Sequence, residues 1–386
     1  MTAGRQTRIL IVDDSAVMRS LLRSVVSSDP SLEVAGTAAD GASALSSIAL
    51  LRPDLILLDV EMPVMDGLDT LRELRRRGHR MPVIMCSSVT QRGAKVTLEA
   101  LACGASDYVA KPTGQANREA AMRALAQDLG PKIRALTGHD MGHIQALQQG
   151  SSAWQGVFPR RPQTPIIPPT ALSRTQAIST IPSVLAIAVS TGGPAALEVL
   201  LPALPGDFSL PVVIVQHMPE MFTKLLAERL ESRCRLRVRE AAEGEPVRAG
   251  SIWIARGNWH LELLPSAHPG SPPTLHLSQG PLENHCRPAA DVLFRSVAAV
   301  YRAGALAVVL TGMGSDGMLG CRMIRENGGA VLAQDRATST VWGMPGAVTS
   351  AGLAQKVLPL NDLAPEIFRL VSRAHSEARE LRESVV

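Results

Sequence analysis

The sequence predicts two doubly wound α/β domains joined by a long linker. Three observations carry this. Short apolar runs alternate with helical patterns up to residue 137. The alternation stops in a proline-rich stretch. It then resumes from Ser183. Strands and helices in strict alternation fold as a mostly parallel sheet, and right-handed crossovers put helices on both of its faces. A chain of 386 residues has room for two such domains, or three.

In the first segment, residues 8–137, the apolar runs Arg8–Val12, Leu32–Ala38, Leu55–Leu58, Val83–Cys86 and Tyr108–Ala110 read as buried strands. Helical patterns fill the gaps at Ala16–Ser28, Ala42–Leu51, Gly67–Arg77 and Thr90–Ala102, and a last helix covers Arg118–Leu136. Residues 138–182 are polar and irregular, with Pro159, Pro162, Pro165, Pro168, Pro169 and Pro182, and read as a partly extended linker. Trp154 and Phe158 within it are candidates to dock on a domain surface. Strands and helices alternate again over 183–374, with strands at Val184–Val189, Pro211–Gln216 and Leu306–Thr311. Ser251–Ala255, His260–Leu264 and Thr274–Leu277 lack intervening helices and read as an antiparallel excursion. A charged tail, 375–386, is expected to fray.

Composition excludes several classes. Apolar residues make up 46% and charged residues 19%, which suits ordinary cores rather than disorder. A net charge of +4, with no basic face interleaved with aromatics, gives no nucleic-acid footprint. The basic run Arg229–Arg239 alternates with Glu228, Glu231 and Glu240, as a solvated face does. The 5 cysteines are scattered, with no C-x-x-C pair, which argues for a reducing compartment and against a zinc site. No apolar run is long enough to span a bilayer, and the polar start Met1–Arg8 leads straight into a strand. The expectation is a cytoplasmic protein without membrane insertion.

Polar residues cluster at strand ends. In the first segment Asp13-Asp14 close the first strand, Asp59 the third, Ser87 the fourth, and Lys111-Pro112 follow the fifth. In a sheet ordered 2-1-3-4-5 these ends converge. Carboxylates with water suit Mg²⁺. An aspartate such as Asp59 can attack phosphorus, and Lys111 can then pair with the phosphoryl oxygens. The stretches Val12-Asp13-Asp14-Ser15, Leu58-Asp59-Val60-Glu61-Met62-Pro63-Val64-Met65-Asp66-Gly67, Ser87-Ser88 and Lys111-Pro112 resemble the response-regulator receiver family. The resemblance implies a flavodoxin-like domain. It implies Mg²⁺ on Asp13, Asp14 and Asp59, and phosphorylation of Asp59 by a histidine kinase. It makes Ser87 the hydroxyl that meets the phosphoryl group and Tyr108 the switch aromatic.

In the second segment Ser190-Thr191-Gly192-Gly193 follows one buried strand, His217 ends another, and Gly312-Met313-Gly314-Ser315-Asp316-Gly317 follows a third. A serine hydroxyl needs a base, and the base needs a carboxylate that fixes its tautomer. Of the nine histidines, His79, His139, His143, His268 and His375 fall in loops, linker or tail. His276 falls in a predicted strand, and His260 and His285 are candidates for the site wall. His217 has the favoured position. Asp316 can orient it or cap the following helix. Backbone N–H groups of Thr191 and Met313 are candidate oxyanion donors. Ser-Thr-Gly-Gly matches neither a P-loop nor the dinucleotide fingerprint, and no G-x-S-x-G elbow is present. Chemistry alone supports a serine hydrolase joined to a switch domain. The alternatives are an output domain that only binds a partner and one that binds a nucleotide.

The stretches Ser190–Gly193, Gln216-His217-Met218-Pro219, Arg287-Pro288 with Asp291-Val292-Leu293-Phe294, and Thr311–Gly317 resemble the chemotaxis protein-glutamate methylesterases. The resemblance implies hydrolysis of glutamyl methyl esters on chemoreceptors, with deamidation of receptor glutamines. It assigns Ser190 as nucleophile, His217 as base and Asp316 as orienting carboxylate, with no cofactor for the esterase. The chain departs from that pattern at Val189, at Arg256-Gly257-Asn258 and at Ser315. None of these removes a catalytic group.

Overall fold

Runs of consecutive apolar residues that end on a polar residue become strands buried on both faces, with the polar residue at the sheet's edge. The computed structural model describes residues 5–88, 90–112, 117–138, 181–266 and 268–383. In the N-terminal part β1 (Thr7–Val12), β2 (Leu32–Ala38), β3 (Leu55–Asp59), β4 (Val83–Ser87) and β5 (Asp107–Ala110) form an all-parallel sheet in the order 2-1-3-4-5. Around it lie α1 (Ala16–Ser27), α2 (Gly41–Leu51), α3 (Gly67–Arg76), α4 (Gln91–Ala102) and α5 (Arg118–Thr137). All five of these helices start on a side chain that accepts a bond from the backbone N–H three residues on: Ser15, Asp40, Asp66, Thr90 and Asn117. The expected helix ends differ from these by one residue at most.

The C-terminal part carries a seven-stranded sheet in the order β14-β13-β12-β6-β7-β9-β8. Its strands are β6 (Val184–Val189), β7 (Val212–Gln216), β8 (Arg237–Glu240), β9 (Ser251–Ile254), β12 (Ala305–Val309), β13 (Ala330–Gln334) and β14 (Lys356–Leu358), and all pair in parallel. The helices are α6 (Gly193–Leu200), α7 (Glu220–Glu231), α8 (Ala290–Tyr301), α9 (Met318–Glu326), α10 (Met344–Ser350) and α11 (Leu360–Glu383). Among the strands of the described residues, only β10 (His260–Leu264) and β11 (Thr274–Ser278) pair antiparallel. The expected excursion is therefore smaller than the sequence suggested. Ser251–Ile254 runs between β7 and β8 inside the parallel sheet, fully buried, because β8 supplies a parallel neighbour.

The basic run Arg229–Arg239 divides between the end of α7 and β8. Arg229 and Arg233 both bond Glu198, so this charge is spent within the chain. The charged tail does not fray at residue 375 as expected; α11 continues through Glu383. Trp154, Phe158 and most of the linker lie outside the described residues. Among the described residues no helix is long and apolar enough to cross a membrane.

The two sheets are packed together through helices. One buried apolar cluster includes Leu98 and Leu101 of α4 together with Leu197 of α6 and Phe222 of α7. At its edge the Tyr108 ring stacks on Phe222, with centroids 4.5 Å apart and planes 18° from parallel.

Candidate active site

Both sheets reverse strand order at one point, and the chemistry-bearing residues gather there. In the C-terminal sheet β6 lies between β12 and β7. Ser190 therefore leaves the sheet beside the Thr311–Gly317 turn on one side and His217 on the other. Backbone bonds lock the three ends together: Ser190 N–H to Thr311 O (3.0 Å) and His217 N–H to Val189 O (3.3 Å). Thr311 Oγ1 donates to Thr191 O at 2.9 Å. Gly192 sits at φ +78, and a Cβ there would fall 2.3 Å from Thr340 Oγ1, so only glycine fits the turn after the serine.

His217 Nε2 lies 2.8 Å from Asp316 Oδ2. Asp316 is buried and is also held by the N–H groups of Ala290 (2.6 Å), Asp291 (3.0 Å) and Gly317 (3.0 Å). Burial alone would raise its pKa; the imidazole and the backbone donors outweigh that and lower it, so the carboxylate stays ionised. His217 shifts the other way. Burial opposes its charge, but the Asp316 carboxylate and the Cys286 sulfur together hold its pKa well above the ordinary histidine value.

Ser190, His217, Asp316, Thr191 and Met313 all line one cavity of about 760 Å³. Among the described residues, the Ser190 hydroxyl forms no hydrogen bond to His217; such bonds often tighten only around a substrate. The backbone N–H groups of Thr191 and Met313 donate to no acceptor among the described residues. Asp107 and Tyr108 of the N-terminal domain line the same cavity, and Thr191 Oγ1 donates to Asp107 Oδ2 at 2.6 Å. Among the described residues no other histidine enters the pair. His260 donates from Nε2 to Pro281 O and accepts at Nδ1 from Ala289 N–H, His276 faces Glu243, and His285 lies on the cavity wall.

The N-terminal sheet gathers a second set. Lys111 Nζ stands 2.9 Å from Asp13 Oδ2 and 2.7 Å from Asp59 Oδ1. Asp13, Asp14 and Asp59 each bring one oxygen within 4.8 Å of the others. Burial, partly offset by Lys111, raises the Asp59 pKa to about 6. Asp59 Oδ2 is buried with no hydrogen-bond partner among the described residues. Oxygen donors so arranged can hold a divalent cation. Ser87 is buried at the same edge, and its hydroxyl donates to Ser88 O rather than into the cluster.

Sequence reasoning missed Asp107, Phe222, Asn284 and Cys286. Asn284 Nδ2 donates to Asp316 Oδ1 (2.8 Å) and to Asp291 Oδ2 (3.0 Å). A polar turn immediately before Arg287-Pro288 was its only signal.

The family described as CheB methylesterase matches residues 185–367, and the response regulator receiver domain matches residues 9–123. The protein-glutamate methylesterase/protein-glutamine glutaminase of Trichodesmium erythraeum is 46% identical over 94% of this chain and 99% of its own. That of a Nocardioides species is 46% identical over 95% of this chain and 96% of its own. The crystal structure of the Thermotoga maritima CheB methylesterase catalytic domain is 41% identical and covers 50% of this chain and all of its own, with a TM-score of 0.48. Identity of this order along nearly the full length of both chains, with a receiver before the esterase, means that the chain belongs to the protein-glutamate methylesterase/protein-glutamine glutaminase family.

Proposed function

We propose that the chain hydrolyses glutamyl methyl esters on chemoreceptors, releasing methanol, and deamidates receptor glutamines in the same site. The observation that carries this is the His217–Asp316 pair beside Ser190 at the switch point, next to two unspent N–H donors. Asp316 holds the proton of Nε2, which leaves Nδ1 as the nitrogen that takes the Ser190 proton. Ser190 Oγ attacks the ester carbonyl. The oxyanion forms against the Thr191 and Met313 N–H groups. His217 returns the proton to methanol as the C–O bond breaks, and water then attacks the acyl-enzyme by the same route. With a glutamine side chain ammonia leaves instead.

In the receiver, Asp59 is the phosphate acceptor from a histidine kinase. The carboxylates fit Mg²⁺: Asp59 Oδ2 is orphaned and buried, and the donor set is all oxygen. Asp13, Asp14 and Asp59 would hold the ion, and when bound it would neutralise charge on the phosphoryl oxygens. Lys111 pairs with those oxygens from the other side, Ser87 turns to meet them, and Tyr108 carries the change to the esterase.

The direct test is methanol release from methylated receptor fragments, with and without a small phosphodonor and Mg²⁺. Release that rises with the phosphodonor supports both halves of the reading. No release under either condition removes the esterase half, and a partner-binding output domain then becomes the better account.

The pH profile gives a second test. His217 accepts a proton only when neutral, so kcat/KM rises with pH through the free-enzyme pKa of this group. Asp316 and Cys286 raise that pKa above 6.5, so the rise falls on the alkaline side of neutrality. Asp316→Asn removes the charge that favours the imidazolium, so the rise moves to lower pH while the plateau falls. A profile flat from pH 6 to 9, roughly the span in which a histidine base shows itself, counts against this base.

A further inference from the structure

Asp316 does not stand alone. Asp291 on the first turn of α8 is a second buried carboxylate, and burial raises its pKa. Its Oδ1 accepts from Gly320 N–H at 2.6 Å. Between the two carboxylates lies the amide of Asn284, whose Nδ2 has two hydrogens and places one on each, at 2.8 and 3.0 Å. The orientation of this amide follows from its neighbours, because both are acceptors and an oxygen in that place would repel each of them. Asn284 stands at φ +52 on a turn closed by Glu283 and Cys286, whose backbones bond each other at 2.8 and 3.1 Å. Asparagine tolerates this left-handed conformation better than most residues. The residue is exposed and lines the catalytic cavity.

We propose that Asn284 is a positioning residue of the esterase, which clamps Asp316 to Asp291 and so fixes the His217 imidazole toward Ser190. The clamp places a donor between the two buried carboxylates, so that each receives a hydrogen from the other's direction instead of facing it bare. The remaining charged and titratable groups around it are Glu283, paired with Arg295, and His217, Cys286 and His285. None of these supplies a second side-chain donor to both carboxylates among the described residues. This inference rests on the Ser190–His217–Asp316 reading above.

Two full-length variants test it, and both residues keep the turn, because glycine and aspartate adopt a left-handed φ readily. Asn284→Gly deletes the donor and admits water. Asn284→Asp preserves the shape and replaces the donor by a third acceptor. Hydrogen bonds to charged groups set the scale. Asn284→Gly should lower kcat roughly tenfold, with KM changed less than about twofold. Asn284→Asp should lower kcat further, on the order of a hundredfold. The downfield proton resonance of the His217–Asp316 pair should shift or broaden in both. A role in shaping the turn alone predicts instead that both variants resemble wild type in kcat and in that resonance, and this result overturns the proposal. Ser190→Ala measured in parallel separates the two layers. If it stays active, the triad reading has failed; if it is inactive while both Asn284 variants are normal, only the clamp has failed. Thermal melting of each variant confirms that a loss of kcat is not a loss of fold.

Discussion

Ser190→Ala is expected to lower kcat for ester hydrolysis by roughly four to six orders of magnitude, with the fold unchanged. The hydroxyl stands at the strand end between the His217 side and the Thr311–Gly317 turn, and its loss leaves the unspent N–H donors and the cavity in place. His217→Ala should cost a comparable amount. Pairs of these substitutions should be little worse than either alone, since the groups act as one unit. Asp316→Asn is the more instructive change. It can still occupy the nest of Ala290, Asp291 and Gly317 N–H groups, but it no longer holds a proton on Nε2 by charge. A loss of about four orders of magnitude is the known scale for such a tautomer defect. Methanol release together with a circular dichroism spectrum checks all of these. Wild-type turnover in Ser190→Ala ends the serine-hydrolase reading, and additive losses in the double variants mean that the three side chains do not work together.

Much of this site was legible because sheet topology does the gathering. Buried parallel strands write themselves as unbroken apolar runs, such as Val184–Val189, and the first polar residue after each run marks a sheet edge. Ser190, His217 and Asp316 could be placed on neighbouring strand ends without a structure, and so could Asp13, Asp59, Ser87 and Lys111. The sequence failed where a strand does not look buried. Arg237–Glu240 is charged in three of its four positions, so it reads as solvated surface, and Ser251–Ile254 lost its apparent parallel neighbour. At this edge strand the side chains follow the solvent and local partners rather than a core. Tertiary bonds between distant turns were equally silent. Asn284 and Asp316 are 32 residues apart, and Thr191 and Asp107 are 84 apart. No periodicity or local propensity encodes such a pair. Hence Tyr108 could be assigned to a strand but not to an interface, and Asp107, the residue before that apolar run, was not singled out at all.

That interface sets the second large effect. A fragment beginning at Ser183 should hydrolyse ester faster than the unphosphorylated full chain. In the full chain the receiver forms one wall of the catalytic cavity, Tyr108 stacks on Phe222, and Asp107 holds the Thr191 hydroxyl, one residue from the nucleophile. The stack contributes about 1 kcal/mol beyond its buried area, and the hydroxyl–carboxylate bond about 1.5–3 kcal/mol. Taking a population from mostly closed to mostly open needs roughly 5.5 kcal/mol, so these two contacts cannot be the whole lock. The apolar packing of α4 on α6 and α7 supplies the rest. If closure holds all but about one molecule in a hundred, the fragment should be on the order of a hundredfold faster. Thr191→Val in the full chain removes only the bond to Asp107 and should raise basal turnover by a smaller factor, about tenfold. Phosphorylation would act on the same strands. Lys111 now spans Asp13 and Asp59, and Ser87 now bonds Ser88 O. A phosphoryl group on Asp59 would take both partners and pull on the ends of β4 and β5, the strand that carries Asp107 and Tyr108. Asp59→Asn should therefore leave the basal rate low and abolish stimulation by a phosphodonor. A fragment no faster than the unphosphorylated full chain would mean that the receiver does not cover the site. Its contacts with Thr191 and Phe222 would then serve to bring substrate to Ser190, and Thr191→Val should in that case lower turnover instead of raising it.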